Sequence, residues 1–161
     1  MGEKRVIIGS DHAGFEVKTA LIRHLIEKGY DVTDSGTFST ESCDYPAEAH
    51  KLCVRIQSGE FPAGILLCGT GIGISIAANK HSGIRAALCS DEKSAELSRQ
   101  HNDANVCCMG ARILDKKKIF RIADIFLETP ALDEERHRRR QRMLSELEQL
   151  CCGSDSKQKN E

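Results

Sequence analysis

The chain has 161 residues, 40% of them hydrophobic and 29% charged, with a formal net charge of −1 at neutral pH. That is the size of one domain able to bury a core, with the balance of a globular protein rather than a disordered one. A charge so near zero provides no overall field for a nucleic acid, and no apolar run approaches the roughly 20 residues that cross a bilayer.

Short apolar runs alternate with longer amphipathic segments from the start of the chain. "RVIIGS" at 5–10 reads as a first strand, and "FEVKTALIRHLIEKG" after it as a helix with Val17, Leu21 and Leu25 on one face, stopped at Gly29. "YDVTDSG" at 30–36 is the second strand, followed by a helix from Pro46 to Ser58. "AGILLCG" at 63–69 leads into a helix from Gly73 to Asn79, and "IRAALCS" at 84–90 into one from Glu92 to Gln100. "NVCCMG" at 105–110 and a helix from Lys116 to Leu127 complete five strand–helix units. This alternation predicts an α/β fold: a three-layer, doubly wound, Rossmann-like parallel sheet of five strands with helices on both faces. Beyond Pro130, "DEERHRRRQRMLSELEQL" adds a terminal amphipathic helix with an apolar stripe at Met143, Leu147 and Leu150, expected to dock on its own domain or on a second subunit. One domain over 1–150 is expected, with the polar stretch 151–161 as a mobile tail.

The start "MGEKRV" lacks the apolar centre of a signal peptide, which makes the cytosol the expected compartment and the eight cysteines reduced thiols. Cys107 with Cys108 and Cys151 with Cys152 are adjacent pairs, without the two-residue spacing of zinc sites, so no metal is expected.

Open parallel sheets bind ligands beyond the carboxyl ends of their strands. "SDHAG" at 10–14 and "CGTGIG" at 68–73 both fall there. Gly69, Gly71 and Gly73 let the backbone turn tightly and point N–H groups into one concavity, which suits a phosphate or a developing enolate oxygen; a tight structural turn is the alternative. The spacing is neither the dinucleotide fingerprint nor a P-loop. Cys68, directly before this loop, is placed to act as a base, or is a buried strand-end thiol. Asp11 offers a carboxylate for proton transfer, or a helix cap, and His12 an imidazole for an anion. His101 and Asn102 close a helix, where a histidine also serves as a dipole partner. Arg112, Arg136, His137, Arg139 and Arg140 supply cations; Arg136 and Arg140 share a helix face that could grip a phosphate or simply face water.

Taken in order, "GSDHAGFEVK", "DYP" at 44–46, "CGTGIGISIAANK", "GIRAAL", "SRQHNDANV" and "RHRRR" strongly resemble ribose-5-phosphate isomerase type B, a family whose relatives include the subunits of galactose-6-phosphate isomerase. The likeness runs over roughly residues 4–150. It implies aldose–ketose interconversion of ribose 5-phosphate and ribulose 5-phosphate, a step of the non-oxidative pentose phosphate pathway, through a cis-enediolate without metal or organic cofactor. Carried over by position, Cys68 is the base between C2 and C1, Asp11 shuttles protons among the substrate oxygens, and His101 opens the furanose ring. The backbone of Gly69, Thr70, Gly71, Ile72 and Gly73, with the Thr70 hydroxyl, stabilises the enediolate. Asn102 holds a sugar hydroxyl, Tyr45 lines the pocket, and His12, Arg112, Arg136 and Arg140, with His137 as a helper, bind phosphate. Some members place a glutamate base after the glycine loop, where this chain has Ile74, so the resemblance points to the cysteine subtype.

His101 ends a helix expected at the opposite sheet edge from Cys68. The two meet only across a subunit boundary, which predicts a homodimer with shared sites, with a tetramer as a further possibility. The alternatives are an isomerase of a hexose 6-phosphate such as allose or galactose 6-phosphate, and a non-catalytic phosphosugar-binding module. Nucleic-acid binding through the arginine run is disfavoured by the near-zero charge and an aromatic content of 4%.

Overall fold

The structure is a computed structural model and describes residues 4–152; positions 153–161 of the expected mobile tail lie outside the described residues. Five strands, β1 (Arg5–Ser10), β2 (Asp31–Asp34), β3 (Gly64–Cys68), β4 (Ala86–Leu88) and β5 (Val106–Gly110), alternate with helices α1 (Phe15–Glu27), α2 (Tyr45–Gln57), α3 (Ile72–Ala78), α4 (Glu92–Asn102) and α5 (Lys116–Glu128). A final helix, α6, spans Glu135–Cys152. All strand pairs are parallel and the spatial order is β2-β1-β3-β5-β4. The expected doubly wound architecture is therefore present.

Strand alternation divides the interior into two cores. Val6, Ile8, Ile65, Leu67, Cys107 and Met109 pack under α1, α4 and α5, where Leu21, Leu25, Ala95, Ile122 and Phe126 meet them. Ile7, Leu66, Cys68, Val106 and Cys108 face the other way, against Leu52, Ile56, Ile74 and Ala78 of α2 and α3. The adjacent cysteines Cys107 and Cys108 thus enter different cores, and both are unpaired thiols. Burial pushes the Cys108 thiol well above its ordinary pKa, and contact with Cys89 together with burial does the same to Cys107. They behave as small apolar residues.

The chain leaves β1 for β2 on one side and returns to place β3 on the other, so order reverses between β1 and β3. The carboxyl ends of these two strands, followed by Asp11 and closed by Cys68, flank the crevice where such sheets bind ligands. Gly14 lets the start of α1 approach it: a Cβ there would lie 2.8 Å from Leu67 Cβ and 2.9 Å from Ser10 Cβ.

Two strands are shorter than expected: β2 has four residues and β4 three, rather than seven each. The Asn79 side chain accepts from Ala86 N–H and donates to Ala86 C=O, both at 2.9 Å. An amide thereby occupies the open flank of an edge strand. α6 meets its own domain through Glu148, which accepts from Ser82 Oγ and Gly83 N–H, and through His137, while Met143, Leu147 and Leu150 of its apolar stripe are more than half exposed.

Candidate active site

The glycine loop is built by close approach. Gly71 caps α3 with φ of +78°, and a Cβ on it would lie 2.6 Å from Leu88 Cδ1 and 2.8 Å from the Met109 carbonyl carbon. Gly110, the register partner of Cys68, passes so near that its Cβ would meet Thr70 C=O at 2.6 Å. Both positions admit only glycine. Gly73 lies under the Tyr45 ring, where a Cβ would be 2.7 Å from Tyr45 Cζ; Tyr45 opens α2 and is itself exposed.

Within this loop two N–H groups already have acceptors. Gly71 N–H donates to Cys68 Sγ at 3.1 Å, and Ile72 N–H to Thr70 Oγ1 at 3.2 Å. The first puts a backbone donor on a nearly buried sulfur, 4% exposed, at the head of the loop. Ile74, one residue past the loop, is fully buried against α2 and the sheet, so no proton-transfer group stands there.

Asp11 leaves β1 beside this sulfur-bearing strand, its N–H donating to Leu67 C=O at 3.1 Å. Its Oδ1 accepts from Ala13 N–H (2.9 Å) and Gly14 N–H (3.2 Å), which fixes the carboxylate at the crevice. Gly14, not Asp11, is the residue that caps α1. His12 Nδ1 accepts from Cys43 N–H at 3.2 Å, bringing the strand-to-α2 connection to the same edge. Arg112 lies across the loop, its Nη1 3.5 Å from the Cβ position of Gly69 and its N–H bonded to Gly69 C=O. Its guanidinium forms no ion pair among the described residues.

The remaining candidates form a second group. α4 runs two residues past its expected end because Asp103 takes the left-handed conformation, φ +46°, only after Asn102. His101 and Asn102 thus sit in the last turn, at the amino edge of the sheet. β5 alone separates this edge from Cys68, about 13 Å at the strand rise. His101 stacks on His137 of α6 with ring centroids 4.4 Å apart and planes within 7°. His137 is buried and its Nε2 has no hydrogen-bond partner among the described residues. Burial first, then His101 and Arg136, hold its pKa below the ordinary value, so it presents a neutral ring rather than a charge. Arg136 pairs with Glu134 at 2.7 Å, while Arg140, one turn on, forms no ion pair among the described residues. One chain therefore assembles Asp11, His12, Tyr45, Cys68, the glycine loop and Arg112 at one edge. It leaves His101, Asn102, Arg136, His137 and Arg140 at the other.

Glu48 was not singled out by its sequence. It lies one turn after Tyr45, 5% exposed, with Oε1 paired to Lys51 and Oε2 unpartnered, packed where a Cβ of Gly36 would come within 2.8 Å. Its only signal is its place directly before Ala49 and one turn before Leu52 on the core face of α2.

Known proteins share this arrangement over nearly the whole chain. The family profile described as Ribose/Galactose Isomerase matches residues 6–144. Ribose-5-phosphate isomerase B of Escherichia coli is 44% identical over 146 residues, 91% of this chain and 97% of its own length. Among solved structures, ribose-5-phosphate isomerase B of Clostridium thermocellum superposes with a TM-score of 0.89 at 41% identity, covering 91% of this chain and 99% of that one. The Thermotoga maritima enzyme gives 0.85 at 48% identity, covering 88% and 97%. With the switch-point crevice, the glycine loop and the match in one register along the sequence, the chain belongs to the ribose/galactose isomerase family.

Proposed function

We propose that this chain interconverts ribose 5-phosphate and ribulose 5-phosphate with Cys68 as the base. The observation that carries the reading is the Cys68 sulfur, nearly buried at the head of a glycine loop and facing Gly71 N–H at 3.1 Å, beside a fixed carboxylate and a guanidinium without an ion pair among the described residues. The names of its relatives in Escherichia coli and Clostridium thermocellum support the pentose phosphate.

In the open-chain sugar, Cys68 takes the proton from C2 and returns it to C1. Charge then appears on the enediolate oxygens, and preorganised N–H groups there act without reorganising. Gly71 N–H is engaged with the sulfur and Ile72 N–H with Thr70 Oγ1, so the oxygen falls to the remaining N–H groups of the 69–73 loop and the Thr70 hydroxyl. Asp11, held by its Oδ1, moves protons between O1 and O2. His12 and Arg112 face the substrate from the same edge, with Tyr45 forming the wall over Gly73. His101 opens the ring, Asn102 holds a hydroxyl, and Arg136 and Arg140 grip the phosphate from a second copy of the chain. His137 backs the His101 ring.

That second copy is part of the proposal, because the two groups of residues lie at opposite edges of one sheet. Exposed apolar side chains accompany both: Ile72, Leu88 and Ile113 around the glycine loop, and Met143, Leu147 and Leu150 along α6. Surfaces of this kind mark association. The proposal places the homodimer in the cytoplasm; no described helix is long and apolar enough to cross a membrane.

The test is ketose formation from ribose 5-phosphate in a chelator, alongside galactose 6-phosphate and allose 6-phosphate. Faster turnover of the pentose, unchanged by the chelator, supports the reading. A folded chain that acts only on a hexose phosphate moves the assignment to the galactose side of the family, and one inactive on all three leaves a binding module.

A further inference from the structure

Away from the proposed active site, two imidazoles on neighbouring helices present ring nitrogens to each other. His50 lies on the exposed side of α2, and His81 lies three residues beyond α3. His50 Nδ1 and His81 Nε2 are 2.8 Å apart, with ring centroids 5.1 Å apart and planes inclined by 33°. The other nitrogen of His81, Nδ1, lies 3.1 Å from Ala77 C=O and 3.2 Å from Ala78 C=O. A carbonyl oxygen only accepts, so Nδ1 carries the proton and Nε2 offers its lone pair toward His50. A ring N–H held by a backbone carbonyl is the support that orients metal-bound histidines.

We propose that His50 and His81 form a two-imidazole site for a divalent transition-metal ion of the Zn2+, Cu2+ or Ni2+ class. Metal–nitrogen bonds of about 2.0–2.1 Å at right-angle to tetrahedral geometry place two ligand nitrogens about 2.8–3.4 Å apart. The exposed His50 ring therefore has to give only a few tenths of an ångström, and its Nδ1 proton moves to its own Nε2 as the ion enters, so that both rings bind as neutral imidazoles. No cluster of three or more His, Cys, Asp or Glu suited to a metal exists among the described residues, so water completes the coordination. Imidazole ligands favour these ions over Mg2+ and Ca2+, which seek oxygen.

The ion would not touch the reacting atoms. α2 carries Tyr45 at its start and α3 begins in the glycine loop, so a bridge from the middle of α2 to the end of α3 ties together the two helices that meet where Tyr45 covers Gly73. An ion that binds only the folded chain raises its melting temperature.

The experiment is calorimetric titration and thermal unfolding of the full chain with Ni2+ alone, at pH 7.5, with Mg2+ as the control. The wild-type chain is expected to take one Ni2+, with a higher melting temperature, and to show neither response to Mg2+. His50→Asn and His81→Asn, each made separately, should weaken binding by more than about 100-fold, beyond the usual cost of losing an outer-shell partner, and remove the thermal shift. Both variants should keep the metal-free isomerase rate, which shows them folded. Undiminished Ni2+ binding in both variants would place the ion elsewhere and overturn the proposal, as would no binding to the wild-type chain.

Discussion

Cys68 is the residue on which the proposed chemistry turns. With the sulfur removed, the loop, Asp11 and Arg112 still hold the sugar, but nothing at C2 accepts a proton, and Ile74 offers no substitute. Cys68→Ala should therefore lower kcat by about 10²–10⁴-fold, the range of a general base, with a small change in KM; initial rates of ketopentose formation check this. His137 leads to a second expectation. Its imidazolium is disfavoured in the folded chain by burial and by His101, while Glu134 opposes weakly. The unfolded chain then takes up this proton first as pH falls. Stability is whole above the ordinary value of 6.5, declines as pH drops through it, and goes on declining to the lower folded value. His137→Phe keeps a ring against His101 and removes the titration. Its melting temperature should fall less than the wild type's between pH 7 and 5; an equal fall places the acid sensitivity elsewhere. Cys68 and the glycine loop were legible in the sequence because the chemistry of a tight loop is local. The burial of His137 and Glu48 was not, because a polar residue on a helix reads as solvent-facing until the partner element is known.

At the scale of elements, hydrophobic spacing placed every strand and helix, and the end of α4 moved where a single dihedral intervened. Asn79 covers the open flank of β4 at Ala86, and the left-handed Asp103 lets α4 reach Asn102, which decides where His101 points. The joint between α1 and β2 was wholly illegible. Lys18, one turn before Leu21, is fully buried, and its ammonium meets Asp34 at the end of β2, whose Oδ1 also accepts from Gly36 N–H. A buried cation left without its counter-charge costs far more than the intact pair contributes. Asp34→Asn should destabilise the chain by about 3 kcal/mol, and Lys18→Met in that background should recover part of the loss by replacing the stranded charge with an apolar chain. Denaturant unfolding of the two variants measures both. A loss no larger than that of an exposed ion pair would mean that water reaches Lys18.

At the scale of the molecule, the sheet keeps the two groups of site residues apart. A βα unit returns each helix to the amino edge, so a group on the last turn of α4 and a group at the end of β3 belong to opposite rims of the same sheet, whatever their side chains. The sequence order of the motifs was enough to infer this, whereas the exposed stripe on α6 became visible only with the fold. If two copies share their sites, Cys68→Ala and His101→Asn damage different halves of each. Each variant alone is inactive, because every site in its homodimer lacks one group. Mixed, dissociated and reassociated in equal amounts, half of the dimers are hybrids, in which one site carries both lesions and the other neither. The mixture should regain roughly one quarter of the wild-type rate, the share set by two-fold symmetry. Recovery of that size requires Cys68 of one copy to work with His101 of the other. No recovery from a mixture shown to exchange subunits would mean that each chain completes its own site, and that α4 and α6 must move to reach it.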